Sequence, residues 1–277
     1  MPKATISNPE LKPGRTNLFV LSEKGGVRKT ATALRIAAVA MEAGCAFHIV
    51  QVDDQSRVEQ LYPGHVTTIK LPSAEAVRRD ELAEARALDP LLARLLDTPD
   101  GIVIVDVGAN FDARVMEFLA GMDYPTESAE AGIANIAIVP MTTEQDAVML
   151  GVRSIRRFDA CFPGSRLIVA RCQDGGDFGS LQIQAQQAFD EFVKPRIADP
   201  NNVIDLAFLR PRSRQTLERL GCTAEQLASM PPRELEARTG LLRAETRQIL
   251  FDLSECLDAI DTEVTRALGP FRSAAAG

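Results

Sequence analysis

The sequence contains no C-x-x-C pair: its five cysteines, Cys45, Cys161, Cys172, Cys222 and Cys256, are scattered and odd in number. That excludes a disulfide framework and a thiolate zinc site, and leaves small buried side chains in a reducing compartment. The two histidines, His48 and His65, have no cysteine or aspartate patterned around them and read as structural. No apolar run approaches the roughly 18 residues of a membrane span. Residues 1–17 are polar and lack the apolar segment of a signal peptide, so a cytoplasmic protein is expected. Internal repeats and low-complexity tracts are also missing. Positive charge is in deficit: 31 Lys and Arg against 38 Asp and Glu leave a net charge of −7. This argues against a surface built as a whole for nucleic acid or anionic lipid, but leaves room for a local basic patch.

What is present fits a globular α/β chain. Of 277 residues, 45% are hydrophobic, enough to bury a core without staples. Short apolar runs alternate with longer helical patterns, the signature of βαβ units on a parallel sheet. Strands are expected at Leu18–Leu21, Phe47–Val52, Ile102–Val107, Asn135–Pro140, Leu167–Arg171 and Val203–Leu209. Helices are expected at Thr30–Ala43, Ser73–Leu96, Ala113–Met122, Thr143–Phe158 and Leu181–Val193. Thr143 and Asp146 stand in a capping relationship, and Gly44 closes the first helix where a positive φ is favoured. After Ser213 the strand pattern stops, and helices follow, broken at Met230-Pro231-Pro232 and at Gly240. The last carries an apolar stripe of Ile249, Leu253, Cys256, Leu257, Ile260 and Val264. Asp252, Glu255, Asp258 and Asp261 lie opposite it and would be repelled by anionic lipid, so packing on the main domain or a partner is expected, with no membrane contact. The expected organisation is a flexible tail at 1–17, a nucleotide-binding domain at 18–212 and a helical C-terminal extension at 213–277.

The chemistry concentrates in one stretch. A buried strand, Phe19-Val20-Leu21, runs into Ser22-Glu23-Lys24-Gly25-Gly26-Val27-Arg28-Lys29-Thr30, then into an Ala-rich helix. Glycines allow backbone N–H groups to turn toward an anion, and the helix N-terminus adds partial positive charge. Lys29 is placed to reach phosphate oxygens, and the Thr30 hydroxyl to ligate Mg²⁺.

Lys24-Gly25-Gly26-Val27-Arg28-Lys29-Thr30 resembles the deviant Walker A pattern K-G-G-x-x-K-[ST] of the ParA/MinD ATPases. Two further elements extend the resemblance: Val52-Asp53-Asp54-Gln55 is similar to the family's D-x-D-P-Q, and Ile102-Val103-Ile104-Val105-Asp106 to its Walker B strand. The resemblance implies a P-loop NTPase fold, a mostly parallel twisted sheet with helices on both faces, binding ATP and Mg²⁺ between two protomers. It implies that Lys24 crosses to the partner's nucleotide as an arginine finger would, and that Lys29 binds β/γ oxygens in its own protomer. Gly25, Gly26, Val27, Arg28 and Ala31 would complete the phosphate cradle. Thr30 and Asp106 would hold Mg²⁺, while Asp53 would orient the attacking water close to the metal. Pro211 and Arg212 match a Pro-Arg turn that contacts the base in the family. The strand ending Ala170-Arg171-Cys172-Gln173 lacks the family's Asn, so adenine is inherited by resemblance alone.

The departures bear on turnover. Arg28 stands where most members have glycine. Its Cβ would crowd the phosphate-facing backbone; with a helical backbone there, its side chain would point to solvent or phosphate. Gln51 replaces the first aspartate of D-x-D-P-Q, and Asp54 its proline. Two arginine groups, Arg153/Arg156/Arg157 and Arg210/Arg212/Arg214/Arg219, offer either solvated ion pairs or cations for DNA held without sequence preference. The resulting expectation is an ATP-dependent dimerisation switch with weak hydrolysis, acting on DNA or a transfer or partition protein. The rivals are a non-hydrolysing scaffold with a disabled loop and a metabolic P-loop enzyme of the dethiobiotin-synthetase type.

Overall fold

The computed structural model describes residues 15–53, 57–98, 101–172, 176–207 and 209–269. Seven strands, β1 (Thr16–Val20), β2 (Phe47–Val52), β3 (Val66–Ile69), β4 (Ile102–Val107), β5 (Ala134–Thr142), β6 (Arg166–Cys172) and β7 (Val203–Leu206), form one sheet. Their order is β3-β2-β4-β1-β5-β6-β7, and every pairing among the described residues is parallel. Near-continuous apolar runs such as Ile102–Val107 are buried throughout, because helices cover both faces.

The helices are α1 (Lys29–Glu42), α2 (Arg57–Leu61), α3 (Ala74–Arg79), α4 (Ala83–Asp97), α5 (Asp112–Gly121) and α6 (Tyr124–Glu130) in the first half. In the second half come α7 (Gln145–Cys161), α8 (Ile183–Ala188), α9 (Pro211–Leu220), α10 (Ala224–Ala228), α11 (Pro232–Thr239) and α12 (Arg243–Leu268). On one face Phe19, Val105 and Val139 pack with Leu91 of α4, Leu119 of α5 and Phe158 of α7. On the other, Leu18, Ile104 and Ile138 pack with Ile36 of α1 and with Val264 and Leu268 of α12. A third, small core, Leu227, Leu235, Ile249 and Leu253, joins the C-terminal helices to one another. This is a doubly wound α/β architecture with helices on both faces of a parallel sheet, as expected, and with a helical C-terminal region lying against β7 and α1.

Several expectations need correction. β1 begins at Thr16, not Leu18; Asn17, assigned to a flexible tail, is buried and donates to the Leu95 carbonyl at 3.3 Å and to the Tyr124 hydroxyl at 2.5 Å. Strand β3 was not expected, since Val-Thr-Thr-Ile is four residues of a half-exposed edge with little apolar signal. The helix expected over Ser73–Leu96 is split, because Asp80 adopts an extended conformation and its carboxylate accepts from the Leu82 amide at 3.1 Å and from Arg86 at 2.7 Å. Thr143 and Asp146 do not cap α7; Glu144 occupies the N-cap without a side-chain bond. Gly44 does adopt φ +66 behind α1. The acidic side of α12 is not simply solvated. Asp252 is buried on the Ser213 hydroxyl at 3.0 Å, and Asp261 pairs with Arg35 of α1.

The chain runs outward from β1 to β2 and β3, returns through β4, then runs outward again on the other side through β5, β6 and β7. Doubly wound sheets form their ligand crevice outside the carboxyl ends of the strands where this reversal occurs. The loop after β1 lies there.

Candidate functional site

The loop from Leu21 to Arg28 joins β1 to α1. Gly26 takes φ +80, which its lack of a Cβ permits. Arg28 is the N-cap of α1 and sits at φ 65, ψ 28, the left-handed region that costs a residue with a Cβ about 1 kcal/mol. The backbone there is therefore not helical. The Arg28 guanidinium, part-buried, donates to the Ala207 carbonyl beyond β7 at 3.3 Å. Position 28 thus has the conformation for which glycine is ordinarily chosen, held by a side chain that ties the loop to the β7–α9 connection.

Lys29 turns back into the loop. Its ammonium donates to the Ser22 carbonyl at 2.7 Å and the Lys24 carbonyl at 2.9 Å. Burial lowers its pKa, opposed by the carboxylates of Asp112, Asp106 and Asp53. Thr30 donates through Oγ1 to Asp106 Oδ2 at 2.8 Å, although the two lie 76 residues apart. Asp106 Oδ1 is buried without a hydrogen-bond partner among the described residues. Burial, helped by the nearby Asp53 charge, pushes the Asp106 pKa up to about 6, against the pull of the Thr30 bond and Lys29.

Asp53 reaches the same edge. A Cβ at Gly108 would come within 3.1 Å of Asp53 Cγ and 2.9 Å of the Val52 carbonyl, so glycine there lets the loop after β4 press against Asp53. A Cβ at Gly25 would meet the Ala109 Cβ of that loop at 3.9 Å. A buried carboxylate oxygen with no partner, a hydroxyl on its other oxygen and a second carboxylate nearby make an all-oxygen donor set. That set fits a hard divalent cation and its waters. The first-turn amides of α1, including that of Ala31, lack intrahelical partners and suit an anion.

The remaining expected residues are distributed around this edge. Lys24 is partly exposed, its Nζ 3.7 Å from Glu144 Oε2. Val27 is buried and its carbonyl accepts from Cys172 Sγ at 3.6 Å. Pro211 opens α9, and Arg212 pairs with Glu245 of α12. Asp54, Gln55 and Gln173 lie outside the described residues. The arginine groups have intramolecular partners: Arg153 and Arg157 both pair with Glu23, and Arg156 stacks 3.9 Å from the Phe192 ring centroid. Arg210 pairs with Asp252 at 3.1 Å, and Arg219 donates to the Thr239 carbonyl.

Three residues that support the loop from behind had no sequence signal. Asp112, at the start of α5, is fully buried; its Oδ2 accepts from Ser154 Oγ at 2.5 Å, and burial pushes its pKa up to about 6. Ser154 Oγ in turn accepts from the Glu23 amide at 3.2 Å. Glu23 itself is buried just ahead of Lys24. Only the fold brings these three together. Among the described residues no cluster of His, Cys, Asp and Glu is arranged to hold a metal by itself, and no helix is long and apolar enough to cross a membrane.

No protein-family model matches the sequence, and no curated protein does. Solved structures do resemble it. McdA(D38A) of Cyanothece, in a complex with ATP, is 16% identical over 87% of this chain and 97% of its own, with a TM-score of 0.47. The septum site-determining protein MinD of Pyrococcus horikoshii, complexed with Mg-ADP, is 18% identical over 88% of this chain and 96% of its own, at 0.43. A plasmid partition protein of Borrelia burgdorferi is 14% identical over 69% of this chain and 89% of its own, also at 0.43. At such scores the reading of the site rests on the loop's own geometry. In its motifs the chain resembles the deviant Walker A ATPases of the ParA/MinD family, and the solved structures it is similar to include a MinD.

Proposed function

We propose that this protein binds Mg-ATP in the loop between β1 and α1, dimerises around it and acts as a nucleotide-gated switch with weak hydrolysis. The observation that carries this reading is the Thr30–Asp106 hydrogen bond beside the partnerless Asp106 Oδ1. Thr30 and Asp106 would hold the cation, with Asp53 close enough to orient water. Bound Mg²⁺ would neutralise charge on the β- and γ-phosphate oxygens. Lys29 would leave the Ser22 and Lys24 carbonyls for phosphate, and the amides from Gly25 to Ala31 would line the anion. Lys24 would serve the partner's nucleotide. Pro211 and Arg212, at the sheet edge that carries the loop, are our assignment for the base side.

For cargo we assign DNA, or a DNA partition or conjugative-transfer protein, to the surface of Arg210, Arg212, Arg214 and Arg219. Arg210 and Arg212 keep about 60% of their side-chain surface exposed while paired, so phosphates can compete for them. Sedimentation of the purified protein with and without Mg-ATP tests the switch: a nucleotide-dependent dimer is expected, and a monomer under both conditions would refute it. ATP-dependent DNA retention that falls with salt, and falls further in Arg210→Ala/Arg212→Ala, is expected of the basic surface. Retention unchanged by that variant would remove the assignment.

One feature favours the scaffold reading as an alternative. The left-handed Arg28 ties the loop to the Ala207 carbonyl beyond β7. In that case neither dimerisation nor hydrolysis would respond to nucleotide, and the C-terminal helices would do the binding.

A further inference from the structure

Helix α7 grips the phosphate loop at its first residues, on the side away from the Lys29–Thr30 end. Ser154, fully buried, has one hydroxyl proton, which Asp112 Oδ2 at 2.5 Å takes ahead of the Leu150 carbonyl of its own helix at 3.3 Å. The hydroxyl oxygen is thereby turned to accept the Glu23 amide at 3.2 Å. From the residue before Ser154 and from the residue about one turn after it, Arg153 at 3.0 Å and Arg157 hold the Glu23 carboxylate, only 8% exposed. Glu23 is therefore fixed at both its backbone and its side chain. The next residue is Lys24, whose ammonium lies 3.7 Å from Glu144 at the start of the same helix.

A fully buried carboxylate is an expensive way to anchor a serine. Asp112 Oδ1 has no hydrogen-bond partner among the described residues, and an apolar residue of similar size would cost the fold less. The carboxylate is explained if the exact setting of the Glu23 turn matters to function. We propose that Asp112 is a positioning residue which, acting through Ser154, pins the Glu23 amide and so aims Lys24 at the second subunit. The inference rests on the reading of the loop as a site for an ATP-bound dimer. It assigns α7, and the two arginines first read as a basic patch, to the control of that lysine.

The test uses the full-length protein and four variants: Asp112→Ala, Ser154→Ala, the double variant and Asp112→Asn. Thermal melting establishes that each is folded, Mg-ATP titration gives the nucleotide affinity, and sedimentation equilibrium gives the ATP-dependent dimer affinity. Nucleotide affinity is expected to stay within about 3-fold of wild type in Ser154→Ala, and to move equally in Asp112→Ala, Asp112→Asn and the double variant, which all lose the carboxylate charge that acts on Lys29. Dimer affinity is expected to fall at least about 10-fold in Asp112→Ala and Ser154→Ala, and no further in the double variant, since both act through one link. Asp112→Asn keeps an acceptor for the Ser154 proton and is expected to dimerise within about 3-fold of wild type. The relay is overturned if Asp112→Asn is as damaging as Asp112→Ala, if the two alanine effects add, or if nucleotide and dimer affinities fall in parallel. A wild type that binds no Mg-ATP, or binds it as a monomer, would instead overturn the reading beneath it.

Discussion

The Lys29 ammonium donates to the carbonyl of Lys24 at 2.9 Å, so the lysine expected to bind phosphate also holds the residue expected to cross to a partner. Phosphate arriving at Lys29 would release that bond and the one to Ser22. On the proposed reading, nucleotide entry and the freeing of Lys24 would be one event. Lys24→Ala should leave Mg-ATP affinity within about 3-fold of wild type while cutting hydrolysis by roughly 10³, the low end for a charge supplied in trans. Parallel titration and turnover assays check this; hydrolysis that survives in Lys24→Ala would leave the residue no such role.

Arg28 permits a test of backbone strain that inverts the usual ranking of side chains. Alanine is ordinarily more stabilising than glycine, by roughly 0.5–1 kcal/mol in regular structure. At φ 65 the order should reverse: Arg28→Gly should be more stable than Arg28→Ala by about 1 kcal/mol, both having lost the bond to Ala207. Urea denaturation of the two variants measures the difference directly. Equal stabilities would mean the loop relaxes out of the left-handed conformation.

Arg35 joins α1, the helix that follows the loop after β1, to the C-terminal helices. It is 5% exposed and bonds both oxygens of Asp261 on α12, with Glu225 of α10 at 3.2 Å and Glu42 at 3.5 Å. Its carboxylate partners keep 23–65% of their side-chain surface exposed and can be rehydrated, so Arg35→Ala should cost roughly 1.5 kcal/mol, the low end for a charge-assisted bond. Amide exchange should quicken first in α10 and α12. Loss of protection spread evenly over the sheet would contradict this local coupling.

Burial raises Asp112 to about 6, so the folded chain takes up its proton more readily than the unfolded chain does. The sign follows: this group favours the folded state as pH falls from 6 toward 4, and its cost returns as pH rises through 6. Asp106 acts in the same direction. His48, lowered by burial to about 4, acts in the opposite direction, because it must stay neutral in the fold. The difference between wild type and Asp112→Asn separates the terms. The variant should gain stability relative to wild type between pH 4.5 and pH 7, measured by urea denaturation. A difference that is flat with pH would contradict the assignment.

The parts of this molecule that were legible in the sequence are those encoded by local pattern. Phe47–Val52 and Ile102–Val107 are strands over the expected residues, because a doubly covered strand is a closed apolar run. Lys29, Thr30 and Asp106 were legible as a motif, and the fold does bring Thr30 and Asp106 into contact. The four-residue edge strand at Val66–Ile69 and the break at Asp80 were not, since each depends on one or two polar residues. Nor was the chain from Asp112 through Ser154 to Glu23, whose links span 42 and 131 residues. Sequence spacing alone also could not separate arginines that serve the loop from arginines free to meet a partner. Arg153 and Arg157 became readable only when the fold set Glu23 between them.

The claim that this loop is a working nucleotide site is tested most directly by titrating Mg-ATP into wild type, Lys29→Ala and Arg28→Gly. Micromolar binding by wild type, weakened at least about 10-fold in Lys29→Ala, is expected from the loss of a charge-assisted contact to phosphate. No binding by wild type, with binding appearing in Arg28→Gly, would contradict it and leave a loop disabled by its own arginine.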